Sequence, residues 1–471
     1  MVFSSLIFLC VFLPVNLLLY FVVKNQVWRN AVLIVSSLVF YAWGEPVWII
    51  ALIFSSVFDY FNGKNVEKYQ GTPRARFFLI LSITGNLLIL GVFKYSGFMV
   101  ENLNQLFNLN MNVPRTTLPI GISFYTFQTI SYVIDVYRGE VKAQKSLFKL
   151  LLFVSLFHQL VAGPIVRYKD IAAEIEDRRI TWAGFGEGVN RFILGLGKKV
   201  LIANTAGKLA IIFLGTDYDK LPVTGAWLGI ILFAFQIYFD FSGYSDMAIG
   251  LGRMFGFTYK ENFNYPYTAK SASDFWRRWH ISLSSFFRDY VYIPMGGNRR
   301  LHIRNLLVVW FLTGLWHGAS WNFIIWGLYY FVFIAAEKWF LGKFFEKIPG
   351  IFSRIYLLLV MLIGWVFFYH TDLSEAFRFL GVMFGNAGSF TGSEVSLVFR
   401  ENLIFIALAV IASTPVVKIL FNRLKKYLST NTGMESFLDD VFKPVVNVAI
   451  LILSIIFLVG QSYNPFLYFR F

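Results

Sequence analysis

Residues 305–336 of the chain read NLLVVWFLTGLWHGASWNFIIWGLYYFVFIAA, a run of 32 residues without Asp, Glu, Lys or Arg. An α-helix rises about 1.5 Å per residue, so roughly 17 to 25 apolar residues cross the ~30 Å hydrocarbon layer of a membrane. This run is too long for one crossing, and Trp316, His317 and Gly318 interrupt it near its middle. It predicts a helical hairpin that bends at these three residues.

Charge-free runs of this kind recur along the whole chain. The composition is 57% hydrophobic and 15% charged, against roughly 25% charged residues in soluble domains, which excludes a water-soluble globule. We predict an all-α polytopic membrane protein with about 11 transmembrane helices plus re-entrant and interfacial helices. No long polar stretch separates the runs, so residues 1–471 are expected to form a single domain. The other charge-free runs are 1–23, 30–44, 46–58, 77–93, 116–134, 150–166, 221–239, 355–371, 402–417 and 444–469.

The chain is strongly basic, with 42 Lys and Arg against 27 Asp and Glu, a net charge of +15. In a soluble protein this charge would favour nucleic acid as a partner. Here the basic residues lie in short loops, as in the cytoplasmic loops of membrane proteins, so we expect contact with membrane lipid and no nucleic acid. Cys10 is the only cysteine, and no His-x-x-x-His spacing occurs, so we expect neither a disulfide nor a metal site.

The charges of the loops predict an orientation. Loops 62–76 and 138–149 are basic, whereas residues 371–401 carry mainly acidic charges. Because Lys and Arg accumulate on the cytoplasmic side, we expect the basic stretch 253–304 to form a cytoplasmic interfacial segment. Both termini are then expected outside the cytoplasm.

This orientation requires an irregular segment. Only one crossing fits between the basic loop near residue 145 and the acidic loop near residue 217, yet two apolar candidates, 147–163 and 188–214, lie there. One of the two is therefore expected to be re-entrant or interfacial, and the sequence leaves open which one.

Histidines are the first candidates for chemistry. An ionisable side chain inside an apolar run is costly in a bilayer, so His317 is a functional candidate by default. A neutral imidazole, with an ordinary pKa near ~6.5, suits a general base; a hydrogen bond between helices is an equal alternative. His302 and His370 are expected at the interface, and His158 is expected to make a structural hydrogen bond.

A second polar group follows the apolar run 221–239, where residues 236–246 read QIYFDFSGYSD. At this depth the carboxylates of Asp240 and Asp246 need a partner or water. Two alternatives stay open here: a structural ion pair with a loop arginine, or a path for substrate.

Two aromatic segments complete the candidates. Residues 274–290 combine aromatic rings with Arg277, Arg278 and Arg288, as expected of an interfacial segment or of a docking surface for an anionic cytoplasmic ligand. No Walker or dinucleotide glycine motif accompanies them. The tail 462–471, SYNPFLYFRF, is expected to be an extracytoplasmic motif that anchors at the interface or offers a tyrosine hydroxyl to a cavity.

Seven motifs, in order, spread across most of the chain. They are FYAWG (40–44), PIGISFYTFQ (119–128), AGPIVR (162–167), DFSGYSD (240–246), DFWRRWH (274–280), GLWHG (314–318) and YFRF (468–471). This set resembles the membrane-bound O-acyltransferase (MBOAT) family and, within it, the branch of bacterial alginate O-acetyltransferase membrane subunits. One departure is His158, at a position where proline is expected in this branch.

The resemblance implies an acyltransferase in which a ring of helices surrounds a central tunnel. It implies His317 as the principal catalytic residue, His280 as a second catalytic histidine, and Tyr468 as an acyl relay. Arg277, Arg278 and Arg288 would hold the donor's phosphates. The residues expected to line the tunnel or substrate path are Trp316, Asn322, Asp240, Tyr244 and Asp246.

The resemblance also implies the reaction and its setting. Acetyl-CoA, or another acyl-CoA, would be a donor substrate with no permanently bound cofactor, and the acceptor would be a hydroxyl of a cell-envelope polysaccharide. An extracytoplasmic hydrolase-like or transferase protein is the expected partner, and the bacterial inner (cytoplasmic) membrane the location. The alternatives are D-alanyl transfer to teichoic acid, a transporter or flippase, and a scaffold without catalysis.

Overall fold

The structure is a computed structural model, and it describes residues 1–114, 116–428, 437–460 and 466–467. Every regular element among them is helical, which confirms the all-α prediction. The chain divides into two compact units: residues 1–192 with 245–260, and residues 193–244 with 261–471. This division does not test the single domain expected from the sequence, which stays a prediction.

The first unit packs its helices around buried polar side chains as well as apolar ones. Asp59 is fully buried and accepts hydrogen bonds from Ser82 Oγ at 2.6 Å and Asn86 Nδ2 at 2.7 Å. Because a carboxylate in apolar surroundings needs donors, these bonds join two long helices. The helices wholly in this unit are Leu13–Val22, Gln26–Ala42, Ile49–Lys68, Pro73–Phe107, Ile122–Tyr137, Leu147–Ser155, Phe157–Leu160 and Tyr168–Glu176.

Helices Trp182–Gly197 and Val223–Met254 contribute residues to both units. The second unit buries many aromatic side chains, with Trp326, Tyr330 and Trp365 almost fully inaccessible. The remaining helices of this unit are Asn204–Leu214, Ala272–Arg278, Ile281–Phe287, His302–His317, Trp321–Ala336, Gly342–Phe345, Gly350–Tyr369, Leu373–Met383, Ser393–Glu401, Leu403–Ala412, Val416–Leu428 and Lys443–Gly460. Single turns of π-helix extend several of them, at Lys198–Ala203, Arg288–Tyr292, Glu337–Leu341 and Leu438–Phe442.

Within the described residues, five helical segments are long and apolar enough to cross a membrane, or six if one bent pair counts as a span. Membrane character is therefore supported, and the number of about 11 crossings stays a prediction. The bent pair is Ser393–Glu401 with Leu403–Ala412. The five segments are Pro73–Phe107, Val223–Met254, Trp321–Phe345, Gly350–Tyr369 and Leu438–Gly460.

The hairpin predicted for residues 305–336 is present. Its first helix ends at His317 and its second begins at Trp321, so the bend follows His317 directly. Glycines set the distance between the two helices: a Cβ added to Gly327 would meet the carbonyl oxygen of Trp310, and it would come within 3.3 Å of Gly314. The helices thus pack backbone against backbone. This close packing holds the carboxyl end of the first helix, which carries His317, in place.

Of the two candidates for an irregular segment, 147–163 is the broken one. Its helix Leu147–Ser155 has 9 residues, about 13 Å in length, which is too short to cross the membrane alone. After Phe157–Leu160 the chain turns at Gly163, whose φ is +106°. Residues 188–214 are helical without interruption. The re-entrant or interfacial placement of 147–163 stays a prediction.

Candidate active site

His317 lies at the carboxyl end of the first hairpin helix, where aromatic rings enclose it. The ring centroids of Trp326, Trp316 and Phe368 lie 4.8, 4.9 and 5.1 Å from that of the imidazole, each with its ring nearly perpendicular. The side chain is buried, with the residue 7% exposed. Packing on several sides therefore fixes the orientation of this imidazole.

His317 nevertheless borders a small cavity. The cavity lies in the second unit and has a volume of about 20 Å³. The ionisable side chains among the lining residues are His317 and Asp240, so the imidazole shares mainly apolar surroundings with one carboxylate. The other lining residues are Ile237, Phe241, Trp279, Trp326, Trp365, Phe368 and Leu467.

His280 occupies a strained position in a buried loop. Its φ of +46° is in the left-handed region, which costs roughly 1 to 3 kcal/mol for a residue with a side chain. Asn262 holds this conformation: its carbonyl oxygen accepts from Ile281 N at 3.0 Å, and its side-chain oxygen lies 3.2 Å from His280 Nδ1. With its Nδ1 proton donated to Asn262, a neutral His280 would leave Nε2 as an acceptor.

Trp316 connects the two histidines. Its ring centroid lies 5.7 Å from that of His280 and 4.9 Å from that of His317. Phe241, which lines the cavity, also packs edge-on against His280, with 4.7 Å between the centroids. The structure thus brings together three of the residues expected at the site: His280, Trp316 and His317.

Asp240 is buried, and its partner is a lysine instead of a loop arginine. Lys199 Nζ lies 2.6 Å from Asp240 Oδ1, and both side chains are 3% exposed. The second carboxylate oxygen accepts from the backbone N–H of Leu467 at 2.8 Å. Tyr244, one helical turn further along, stacks on Phe466 with 4.5 Å between the ring centroids.

Two further candidates make structural contacts. Asp246 belongs to the first unit, where Arg191 Nη2 lies 2.7 Å from its carboxylate. Asn322 is fully buried and donates to the carbonyl oxygen of Phe367 at 3.2 Å. Their expected places on a substrate path stay predictions.

The three arginines expected at the donor site differ in exposure. Arg278 is half-buried and donates to Asp274 Oδ1 at 3.0 Å. Arg277 and Arg288 are exposed, and Arg288 donates to Asp289 Oδ1 at 2.8 Å. Tyr468, and most of the segment 462–471, lies outside the described residues.

Several residues at the site were not predicted. Lys199 could have been found, because a lysine in an apolar segment needs an anionic partner. Asn262 lies in an ordinary polar loop, and Trp365 and Phe368 lie in an apolar run, so no sequence pattern separates them from loop or core residues.

Comparison with known proteins identifies the family. The family model for membrane-bound O-acyltransferases matches residues 141–372, which contain both His280 and His317. The probable alginate O-acetylase AlgI of Pseudomonas putida is 40% identical over 496 residues, covering 100% of both chains. The chain belongs to the membrane-bound O-acyltransferase family. It is therefore an acyltransferase.

Other members of this family show how far the similarity extends. The peptidoglycan O-acetyltransferase of Helicobacter pylori is 33% identical over 518 residues, covering 100% of this chain and 98% of that protein. The teichoic acid D-alanyltransferase of Bacillus subtilis is 30% identical over 252 residues, 49% of this chain and 62% of that protein. This membrane-bound O-acyltransferase thus aligns along its whole length with the O-acetylating relatives and along half of it with the D-alanyltransferase.

Proposed function

We propose that this enzyme transfers an acetyl group from cytoplasmic acetyl-CoA to a hydroxyl outside the cytoplasm, with His317 as the general base. The observation that carries the proposal is the position of His317, whose imidazole lies in the wall of the cavity and is oriented by three aromatic rings. His280, joined to it through Trp316, is proposed as the second catalytic histidine.

The proposed reaction uses His317 as a general base at the wall of the cavity. His317 takes the proton of the acceptor hydroxyl, whose oxygen attacks the carbonyl carbon of the thioester. The tetrahedral intermediate collapses as the C–S bond breaks. The CoA thiolate leaves and takes up the proton, so the products are the acetyl ester and CoA thiol. The low polarity of the cavity wall strengthens any hydrogen bond to the developing oxyanion.

The donor site is proposed at three arginines of the basic segment 253–304. Guanidinium groups form paired hydrogen bonds with phosphates, and Arg277, Arg278 and Arg288 are the candidates to hold the phosphates of acetyl-CoA. Of these, Arg277 and Arg288 are exposed. Acetyl-CoA is a substrate here, with no permanently bound cofactor proposed.

The acceptor is proposed to be a cell-envelope polysaccharide. Full-length similarity to an alginate O-acetylase and a peptidoglycan O-acetyltransferase supports acetylation of this class of polymer. D-alanyl transfer to teichoic acid has weaker support, because that similarity covers about half of the chain. Transport without acylation is not favoured by any observation at the site.

The last part of the proposal concerns the membrane, the orientation of the chain and its partner. We place the protein in the bacterial inner membrane, with about 11 crossings arranged around a tunnel and both termini outside the cytoplasm. Acyl donor would enter from one side and acceptor from the other, and an extracytoplasmic hydrolase-like or transferase partner would complete delivery to the polymer.

The test in cells is the His317→Ala variant. It removes the base and leaves the chain inserted, so O-acetyl groups on the envelope polysaccharide, measured by mass spectrometry after mild alkaline release, should disappear. His302→Ala is the matched control, because it makes the same change at the other end of the same helix and should keep acetylation. Normal acetylation by His317→Ala, at equal protein abundance, would remove the assignment.

A further inference from the structure

We propose that Trp326 is a further catalytic residue, whose indole N–H donates a hydrogen bond to the thioester carbonyl oxygen while that oxygen carries negative charge. The proposal deepens the proposed function and rests on it, because this oxyanion forms only if acetyl transfer takes place beside His317. Three observations support it: the position of the ring in the cavity wall, the unpaired indole nitrogen and the size of the cavity.

Trp326 shares the cavity with the proposed base. It lies on the second hairpin helix, Trp321–Ala336, and lines the same cavity as His317. The centroids of the two rings are 4.8 Å apart, and the ring planes meet at 81°. The residue is fully buried. The hairpin therefore places the indole and the imidazole side by side in one wall.

The indole nitrogen of Trp326 is a donor without an acceptor. In the part of the chain that the structure describes, this N–H is buried and makes no hydrogen bond. A buried tryptophan N–H usually finds a partner, because leaving it unpaired costs free energy. An unsatisfied donor at a reaction site is therefore a candidate to bind a group of the substrate.

The orientation of the indole is fixed by its neighbours. The rings of Trp276, Tyr330 and Phe368 pack against it, with centroid distances of 5.4, 5.3 and 5.4 Å. A donor that is held in place before the reaction loses little free energy to reorganisation when charge develops beside it. Rigid packing of this kind is what an oxyanion site requires.

Trp365 is a second tryptophan in the cavity wall, and it is the weaker candidate. Its indole lies near the hydroxyl of Tyr267. Its ring packs on Trp279 and Phe368, with the centroids 5.0 and 5.5 Å apart. The oxyanion forms where the base activates the acceptor hydroxyl, so we assign the donor to Trp326, whose ring contacts His317.

The size of the cavity fits one oxygen atom of the substrate. Its volume is about 20 Å³, which is enough for a single group of the size of a water molecule. The carbonyl oxygen of a thioester is such a group. We therefore place this oxygen in the cavity and the rest of acetyl-CoA outside it.

The charge of Asp240 in the same wall does not oppose this assignment. Lys199 Nζ lies 2.6 Å from Asp240 Oδ1, and the backbone N–H of Leu467 donates to Asp240 Oδ2 at 2.8 Å. The carboxylate is thus compensated by a cation and a donor. An indole N–H is a donor only, so Trp326 does not compete with His317 for the proton of the acceptor.

The proposed step leaves the indole chemically unchanged. His317 takes the proton of the acceptor hydroxyl, whose oxygen attacks the carbonyl carbon, and the π electrons of the C=O bond move to the carbonyl oxygen. Trp326 donates to this oxygen and keeps its proton. The C=O bond re-forms as the C–S bond breaks, and the thiolate takes the proton from His317. Because the bond strengthens only while the oxygen is charged, it raises kcat without tightening the binding of acetyl-CoA.

The decisive experiment removes the N–H and keeps the shape of the ring. β-(3-Benzothienyl)alanine, which has sulfur in place of the indole N–H, is incorporated at position 326 by codon suppression. Release of CoA thiol from acetyl-CoA is measured in nanodiscs, with the purified envelope polysaccharide of the host bacterium as acceptor. Since loss of one oxyanion donor costs roughly 10² to 10³ in kcat, we expect a fall of at least about tenfold, with an unchanged KM for acetyl-CoA.

The same analogue at Trp310 is the matched control. Trp310 is buried on the first hairpin helix, its ring centroid lies 6.4 Å from that of Trp326, and it does not line the cavity. The exchange should leave kcat within about threefold of wild type, because no oxyanion forms beside it. Trp326→Phe is a second variant without the N–H, and it should show the same loss of kcat as the analogue.

The pH profile separates a donor from a residue that only orients His317. An indole does not titrate in the range where imidazole does. The analogue at position 326 should therefore lower kcat by the same factor at each pH and leave the midpoint of the profile at its wild-type value. A shifted midpoint would show that Trp326 acts through His317, and it would overturn the assignment as a donor.

The outcomes distinguish this inference from the proposed function. A fall of kcat at position 326 alone, with unchanged KM and Tm, supports the donor. Smaller than about tenfold loss there, or equal losses at positions 310 and 326, overturns it; the proposed function still stands if His317→Ala is inactive. A His317→Ala variant that keeps its kcat overturns the proposed function itself.

Discussion

The two histidines differ in what surrounds the ring. His317 faces a cavity, which suits a group that exchanges protons with a substrate. His280 is 1% exposed and held by Asn262, and burial lowers its pKa from the ordinary 6.5 to about 3. It is therefore neutral in the folded protein throughout the neutral range, and it can orient Trp316 without carrying charge.

The lowered pKa of His280 predicts a pH dependence of stability. Below about pH 6.5 this side chain is protonated in the unfolded chain but neutral in the folded one, so its contribution to stability is lost as the pH falls from about 6.5 towards 3. The Tm advantage of wild type over His280→Gln, measured in detergent by calorimetry, should therefore shrink from pH 7.5 to pH 4.5.

Other buried histidines do not obscure this comparison. His158 and His370 are also buried, but both are present in wild type and variant alike. A Tm difference that stays constant or grows as the pH falls would contradict the assignment of a neutral His280.

At the level of single residues, the sequence reveals ionisable residues that are unusual in an apolar run. It does not reveal residues whose role depends on tertiary contacts. His317 and Asp240 could be selected as candidates because ionisable groups are costly in an apolar run, and both line one cavity. The hydrogen bond of His158 to Tyr259, at 2.6 Å, confirms another such prediction. Asn262 could not be found, because its role depends on a loop meeting a distant histidine in three dimensions.

At the level of helices, the hairpin determines where the imidazole of His317 lies. Gly314 and Gly327 allow its two helices to approach backbone to backbone, and His317 ends the first of them. A side chain at either glycine would push the helices apart and carry His317 away from its aromatic neighbours.

The Gly327→Ala variant tests this packing. The added methyl group would meet the Trp310 carbonyl oxygen, and overpacking of this kind costs roughly 1 to 3 kcal/mol. We expect a Tm several degrees lower and a reduced kcat for acetyl transfer.

Gly186→Ala is the matched control, because a Cβ there meets nothing within 4 Å. Alanine is also the better helix former by about 1 kcal/mol, so this variant should be as stable as wild type or more so. Equal Tm values for the two variants would show that the hairpin tolerates separation.

The helical hairpin could be predicted from its length and its Trp-His-Gly interruption. The choice between segments 147–163 and 188–214 could not. The second segment contains Lys198, Lys199 and Lys208, yet it is continuous, because Lys199 pairs with Asp240. Charge alone does not end a helix when a counter-charge is buried beside it.

At the level of the whole molecule, the amino-acid composition identifies a membrane protein. It does not determine how many helices cross the membrane or how they are arranged. Five or six segments of the described chain meet the criteria for a span, fewer than the eleven charge-free runs of the sequence. Short helices such as Leu147–Ser155 explain part of this difference, because an apolar run need not fold into one straight helix.

The predicted orientation can be tested with single cysteines. In a Cys10→Ser background, Lys145→Cys lies in a loop expected in the cytoplasm and Lys220→Cys in one expected outside; both positions are exposed. An impermeant maleimide added to intact cells should label position 220 at once and position 145 only after permeabilisation. The reverse labelling pattern would contradict the proposed orientation, in which the donor enters from the cytoplasm and the acceptor from outside.

The central claim, that His317 is the base for acetyl transfer, is tested most directly by the rate of CoA thiol release from acetyl-CoA. The measurement uses purified wild type and His317→Ala in nanodiscs, with acceptor present. A general base contributes roughly 10² to 10⁴ in rate. The account predicts a loss of at least about a hundredfold in kcat with an unchanged Tm; a kcat within threefold of wild type would contradict it.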